Sequence, residues 1–415
     1  MNSILIIITS AFPYQQGEEF ILNEIPFYAP FEKVYFVPIG ATDFSKKKII
    51  DESITVYQPK TIAPANVLSK LVGSIKMLWK EDAKNELQVI KATKRSGFYS
   101  FRRALVECYK VDSLRNEILE FVGTIRNNNP NCGIVLYSYW MGNHAKIAVD
   151  VKKRFPDIKI VTRCHGGDLY EYRYKSNYIP FRTEILMHEN MIFTISENGK
   201  SYLEKTDYEI NAPIVVSRLG TIQKYDRCKI TNKDGINIVS CSYCRPLKRI
   251  DLIIDALAKM NEKSISWTHI GNGPEYERLI QKSKDCIPQN IEFSFIGYAD
   301  NTKIQELYSS GAFNLFVNVS EAEGIPVSIM EAMSYGLPVI ATDVGGVSEM
   351  IKNGESGYLL SKDFRLDELR DAIRTILQMS ESDFQTMSKK SYQLWLERFD
   401  ANRNYSEFID TLKQM

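Results

Sequence analysis

The sequence predicts an α/β protein made of two doubly wound parallel-sheet units, and three observations carry that reading. Short continuous apolar runs rich in β-branched residues recur along the whole chain, as strands buried on both faces require. Each run is followed by a longer amphipathic stretch, the pattern of parallel strands joined by covering helices. The 415 residues, 44% hydrophobic and 25% charged, are enough for two cores of ordinary domain size.

In chain order the runs are ILIIIT, KVYFVPI, GIVLYSY, IKIVTRCHG, MIFTIS, PIVVSRLG, INIVSCS, SWTHIG, IEFSFIG, FNLFVN and PVIATD. The polar stretch from Gly220 to Gly235 interrupts this alternation and marks the domain boundary. The expected division is 1–215, 216–388 and a last segment, 389–415. That last segment has spaced aromatic and aliphatic residues and no new strand, so it is expected to be a helix packed back on the first domain.

The opening MNSILIIITSAFPY has a short apolar run with no basic residue before it and no small-residue cleavage site after it. It reads as a buried first strand rather than a signal peptide. No run reaches the roughly 18 apolar residues of a membrane span, so a cytoplasmic location is expected. The net charge of +1 provides no overall field for nucleic acid, and an acidic partner must meet a local patch. Seven cysteines, an odd number, do not suggest a disulfide framework. Cys241 and Cys244 form a C-x-x-C without the second ligand pair of a zinc site.

The stretch EAEGIPVSIMEAMSYGLPVIATDVGG, residues 321 to 346, holds the densest chemistry. Pro326 suits the first helical turn and Gly336 the left-handed position after a helix. A helix is therefore expected from Pro326 to Tyr335, with Glu323 on the loop before it and Glu331 within it. The free N–H groups of its first turn suit an anion. Gly345 and Gly346 follow the next strand, where they can bring backbone amides near a ligand. Taken singly, Glu331 also reads as a solvated helix residue and Glu323 as a helix-dipole partner.

Together, the two acids, the glycines and the prolines resemble the E-x7-E segment of glycosyltransferase family 4. These are retaining nucleotide-sugar transferases with two facing Rossmann-like domains, the GT-B architecture. The resemblance implies that Glu331 holds the ribose hydroxyls of a UDP- or GDP-sugar. It places Glu323 opposite the transferred sugar and the amides of Gly324 and Ile325 on sugar hydroxyls or phosphate. SYCRPLKRIDLIIDAL matches the family's phosphate loop, with Lys248 on the diphosphate. The usual arginine is replaced by Tyr243, which leaves Arg245 or Arg249 to supply its charge. In FIGYADNTKIQELYSS, Gly297 and Tyr298 align beside the nucleobase, although Tyr298 also reads as a core residue.

The first domain carries thinner signals. RCHGGDLYEYRY resembles the family's H-G-x-D segment, found in transferases of surface-polysaccharide assembly (capsule, exopolysaccharide, colanic acid). It makes His165 a candidate at the sugar-transfer site, beside Asp168 and Arg163. SAFPYQQGEEF offers Gly17 to the donor and Glu18 and Glu19 to the acceptor. Trp140 suits sugar stacking as well as it suits a core. Residues 66–110 carry ten basic against four acidic residues, a net of +6. There Leu68, Leu71, Val72, Ile75, Leu78 and Trp79 are expected on one helix face, with Lys70, Lys76, Lys80 and Lys84 opposite. Such a helix either packs on the domain with a solvated basic side or lands on anionic lipid.

The function implied is retaining transfer of a sugar from a nucleoside diphosphate sugar to a hydroxyl of a lipid-linked glycan. With no D-x-D in the chain, no metal or other cofactor is expected. Rival readings on the same architecture are a sugar-nucleotide epimerase, a phosphorylase, or a non-catalytic partner that binds nucleotide sugar.

Overall fold

The computed structural model describes every residue except 1, 16, 46, 49, 61–72, 96 and 263. The chain divides into two compact units, one formed by Met1–Ser217 with Tyr405–Met415 and the other by Arg218–Asn404. The first contains seven parallel strands: β1 (Ser3–Thr9), β2 (Lys33–Pro38), β3 (Ile54–Val56), β4 (Gly133–Ser138), β5 (Lys159–Cys164), β6 (Met191–Thr194) and β7 (Ile214–Val216). Their order across the sheet is β3-β2-β1-β4-β5-β6-β7.

Strand β1 shows why these runs are apolar throughout. Successive side chains point to opposite faces. Ile4, Ile6 and Ile8 join the core under helix Phe98–Asn128, with Val111, Leu114 and Ile118. Leu5 and Ile7 join the other core, with Phe36, Tyr137 and Phe408. Covered on both sides, the strand is apolar from Ile4 to Ile8, and its polar residues, Ser3 and Thr9, stand only at its two ends.

The second unit contains β8 (Ile236–Cys241), β9 (Ile265–Ile270), β10 (Ile291–Gly297), β11 (Leu315–Asn318), β12 (Val339–Thr342) and β13 (Gly357–Leu360). They are ordered β10-β9-β8-β11-β12-β13, again all parallel. This is the Rossmann strand order, which reverses direction between β8 and β11; ligands of such sheets bind beyond the strand ends at that point. Each predicted strand run holds one of these strands, and the sequence reading passed over only β3 and β13.

The C-terminal crossing is made by the second of two helices. Glu381–Arg398 belongs to the second unit, where Trp395 donates to Thr221 at 2.8 Å. Ala401–Lys413 carries Phe408, Ile409 and Leu412 into the core of the first unit. The guanidinium of Arg163, paired with Glu24 at 2.7 Å, lies 4.0 Å from the Phe408 ring.

Residues 66–110 depart from expectation. Leu68, Lys70, Leu71 and Val72 lie outside the described residues. The helical stretch ends before Leu78, and Lys84 sits in a separate helix, Glu81–Ala92. Ile75 is 50% and Trp79 72% exposed, while Met77 is buried. Of the described members of the expected apolar face, Leu78 packs against the first-unit core and Ile75 and Trp79 stand in solvent. All seven cysteines are free thiols, and no described helix is long and apolar enough to cross a membrane.

Candidate active site

In the second unit the site is built around helix Val327–Ser334, with Pro326 at its N-cap. The helix stops as the sequence dictates. Gly336, at φ +77°, donates to Met333, and Leu337 donates to Ala332, at 2.8 and 3.2 Å. Such a paired closure needs the left-handed position that glycine takes without strain. At the other end, the N–H groups of Gly324, Ile325, Val327 and Ser328 have no hydrogen-bond acceptor among the described residues. Unpaired donors at a helix start favour an anion.

Lys248 closes a short turn after β8 and reaches Glu323 at 2.6 Å. Asn318, at the end of β11, donates to the same carboxylate oxygen at 3.4 Å. A pocket where these strands end is lined by Ser242, Lys248, Asn318 and Ser320, at the point where the sheet order reverses. The glycines after β12 serve the Glu323 loop rather than a ligand. A Cβ on Gly345 would lie 2.2 Å from the Glu323 carbonyl oxygen. The Gly346 amide is spent on the Gly324 carbonyl at 2.8 Å.

Glu331 is 7% exposed and accepts from Asn301 at 2.5 Å. Gln305 donates to Asn301 at 2.8 Å and in turn accepts from Tyr335 at 2.9 Å. Burial pushes the Glu331 carboxyl up to about 7, against the pull of Lys224 and the Asn301 hydrogen bond. The sequence reading missed Asn301 and Gln305. The signal for them was Asp300, whose carboxylate accepts from Lys303 and starts the Asn301–Ser309 helix.

Of the two candidate replacement arginines, Arg249 is occupied. Its φ of +47° turns the guanidinium onto the carbonyls of Val319, Lys362 and Ser320, at 2.7, 2.8 and 3.3 Å. Arg245 is exposed, and its side chain makes no ion pair or hydrogen bond among the described residues. Gly297, at φ +77°, ends β10 and accepts from the Gly271 amide at 2.8 Å. Tyr298 beside it is 59% exposed, so it is not a core residue.

In the first unit, the ends of β1, β4 and β5 bring four predicted residues together. Both Glu18 oxygens are engaged, accepting from the amides of Ser10, Ala11 and Phe12 at 2.7–2.9 Å and from the Trp140 indole at 2.5 Å. Trp140 contacts the His165 ring at 4.6 Å between centroids, and Tyr139 stacks on it at 5.2 Å. Asp168 accepts from the amides of His165 and Met141, both at 2.6 Å. Glu18 and Asp168 thus brace the loops that present His165. Its imidazole is 6% exposed, and both ring nitrogens are unpartnered among the described residues. Burial and the nearby Arg163 charge drive it down to about 3, so it is neutral at physiological pH. Glu19 pairs with Lys48 at 2.6 Å and also accepts from the Gly17 amide at 2.9 Å. The φ of +115° at Gly17 is what calls for glycine there, since nothing lies within 4 Å of an added Cβ.

Comparison with known proteins bears on the second unit most directly. Residues 223–393 match the model of the family described as glycosyl transferases group 1. The match lies within the second unit and covers most of it. The glycosyltransferase match is accompanied by curated relatives. One is N-acetyl-alpha-D-glucosaminyl L-malate synthase of Bacillus anthracis, 26% identical over 66% of this chain and 73% of that protein. Another is the O-antigen biosynthesis glycosyltransferase WbnH of Escherichia coli, 27% identical over 50% of this chain and 61% of that one. Several relatives are matched over only 42–61% of their length. Among solved structures, Anabaena HepE in complex with UDP and glucose is similar across both chains in full, at TM-score 0.68 and 15% identity. A sucrose-phosphate synthase from Thermosynechococcus elongatus gives 0.71 at 15% identity, over 100% of this chain and 99% of that one. The fold is the GT-B type, two Rossmann-like domains.

Proposed function

We propose that the chain is a retaining glycosyltransferase that moves a sugar from a UDP- or GDP-sugar to a hydroxyl of a lipid-linked glycan, in cell-surface polysaccharide synthesis. The observation that carries this reading is the Lys248–Glu323 pair at 2.6 Å beside the unpaired amides of a helix start. A diphosphate displaces nothing there but a single salt bridge, and it gains Lys248, Arg245 and the amides as fixed partners for the charge that develops as the sugar leaves. Glu331, held by Asn301, accepts from the ribose hydroxyls. The base lies beside Gly297 and Tyr298. Glu323, freed from Lys248, faces the sugar and stabilises positive charge at the reacting carbon. The first unit supplies the acceptor, with neutral His165 at the sugar and Trp140, Glu18, Glu19, Gly17 and Asp168 shaping the loops around it. The reading places the protein in the cytoplasm, with residues 66–110 toward an anionic membrane face.

The test is a thermal-shift screen of nucleotides and their sugars, followed by product analysis with and without a glycan acceptor. Donor binding with acceptor-dependent transfer is expected. Interconversion of the donor alone would establish an epimerase instead, and a requirement for inorganic phosphate a phosphorylase. Within the active protein, Glu323→Ala should lower turnover more than donor affinity, and Glu331→Ala the reverse. Calorimetry beside rate measurements separates the two.

A further inference from the structure

The first unit has a second concavity that the reading above leaves unused. A groove of about 620 Å³ opens between the start of helix Phe98–Asn128, residues 74–75 and the loop 174–176. That volume is in the range of small-molecule sites, about 300–1,000 Å³. Its lining includes Ile75, Leu105 and Val106, and Phe98, 73% exposed, and Phe101 stand at its mouth. Large apolar side chains left open to water at one place mark a binding surface.

The polar part of the lining has one sign. Arg102, Arg103 and Lys175 form no ion pair among the described residues, and Arg103 is steadied by the Tyr174 ring 3.5 Å away. The single acid, Glu107, is already taken by Lys110 at 2.8 Å and by Asn143 at 2.5 Å. An occupant must therefore bring both an apolar chain and an anion. Planar guanidinium groups suit a phosphate in particular.

We propose that this groove holds a lipid phosphate, its chain laid over Leu105 and Val106 and its phosphate on Arg102, Arg103 and Lys175. It would be the anchor of the acceptor, an inference that rests on the transferase reading. Charge argues against a second copy of the chain, which would set these cations against their own kind. Shape favours an inserted chain over contact with a flat bilayer face alone, because Leu105, which lines the groove, is only 5% exposed.

The test uses monomeric farnesyl phosphate, farnesol and inorganic phosphate in calorimetry with the full chain. Farnesyl phosphate is expected to bind one to one, farnesol at least tenfold more weakly, and inorganic phosphate not measurably. The Arg102→Ala/Arg103→Ala variant should lose at least tenfold, as should Val106→Trp, which fills the groove. Both should keep the parental melting temperature and nucleotide-sugar affinity. Failure of the parent to bind farnesyl phosphate, or unchanged binding by both variants, would overturn the assignment. So would arginine-dependent flotation on anionic vesicles without monomer binding, which makes the patch a bilayer surface. A dimer abolished by Val106→Trp would make it a self-contact. Loss of nucleotide-sugar binding with farnesyl phosphate binding intact would sink the donor reading and leave the groove standing.

Discussion

Glu331 is an acid placed where its charged form is costly. Its carboxyl sits at about 7 against an ordinary 4.5, so the folded protein without ligand favours the neutral form below about 7. Going up in pH, the parent should lose stability relative to Glu331→Gln between 4.5 and 7, by at most about 3 kcal/mol. Urea titrations at several pH values would show it. A ribose diol donates two hydrogen bonds, which only the ionised carboxylate accepts fully. Nucleotide affinity should therefore rise with pH up to about 7, by as much as tenfold per unit, and Glu331→Gln should flatten the profile. A binding profile flat in the parent would remove the ribose role. The two arginines make a second contrast. Arg245→Ala should weaken nucleoside diphosphate binding about tenfold or more with no change in stability. Arg249→Ala should destabilise the fold by roughly 1–3 kcal/mol, because it strips the donors from the carbonyls that end β11. Binding and unfolding measured on the same samples separate these outcomes. The sequence left the choice between these arginines open because the deciding fact, a left-handed turn at Arg249, leaves no mark in composition. Asn301 was hidden for a different reason: it meets Glu331 across thirty positions of chain, and nothing local announces such a pair.

Among the elements, those buried on both sides were the easiest to read. A strand such as β1 is apolar along its whole middle, Ile4 to Ile8, so its sequence states its place. The short strands β3 and β13, three and four residues long, give no such run and were passed over. Residues 73–84 differ for another reason. Periodicity says which side chains share a face, and it does not say whether anything covers that face. Trp79 stands in solvent, where a helix either packed on the domain or laid on anionic lipid was expected. The last helix offers a direct test of an element. Phe408 is buried among Tyr137, Phe193 and the Arg163 guanidinium, so Phe408→Ala should cost about 3–5 kcal/mol. Denaturant unfolding followed through the first unit would measure it, and a loss under 1 kcal/mol would mean that the helix is a loose attachment.

For the molecule as a whole, the proposed chemistry spreads the diphosphate charge over Lys248, Arg245 and backbone amides, with no D-x-D to recruit a metal. Transfer should therefore persist in excess chelator, within about twofold of the untreated rate. Complete loss restored by Mg²⁺ would show that a cation carries part of that charge. Parallel-sheet architecture was legible throughout the chain because it is written in repeated burial patterns. The turn that carries Lys248 was legible because a turn, a cation and a helix start are adjacent in sequence. The places of Glu18 and Asp168 were less legible, since they look like ligands in the sequence and their carboxylates hold loop amides in the fold.

The return of residues 405–415 to the first unit also sets an order of events during synthesis. A ribosome delivers the strands of that sheet first, yet side chains that help roof one of its faces emerge only after the whole second unit. The second unit is one uninterrupted stretch, 218–404, and can finish while the core around Leu5, Ile7 and Tyr137 still lacks Phe408, Ile409 and Leu412. Maturation therefore runs against chain order, and for that interval the unroofed sheet is the surface a chaperone would have to shield.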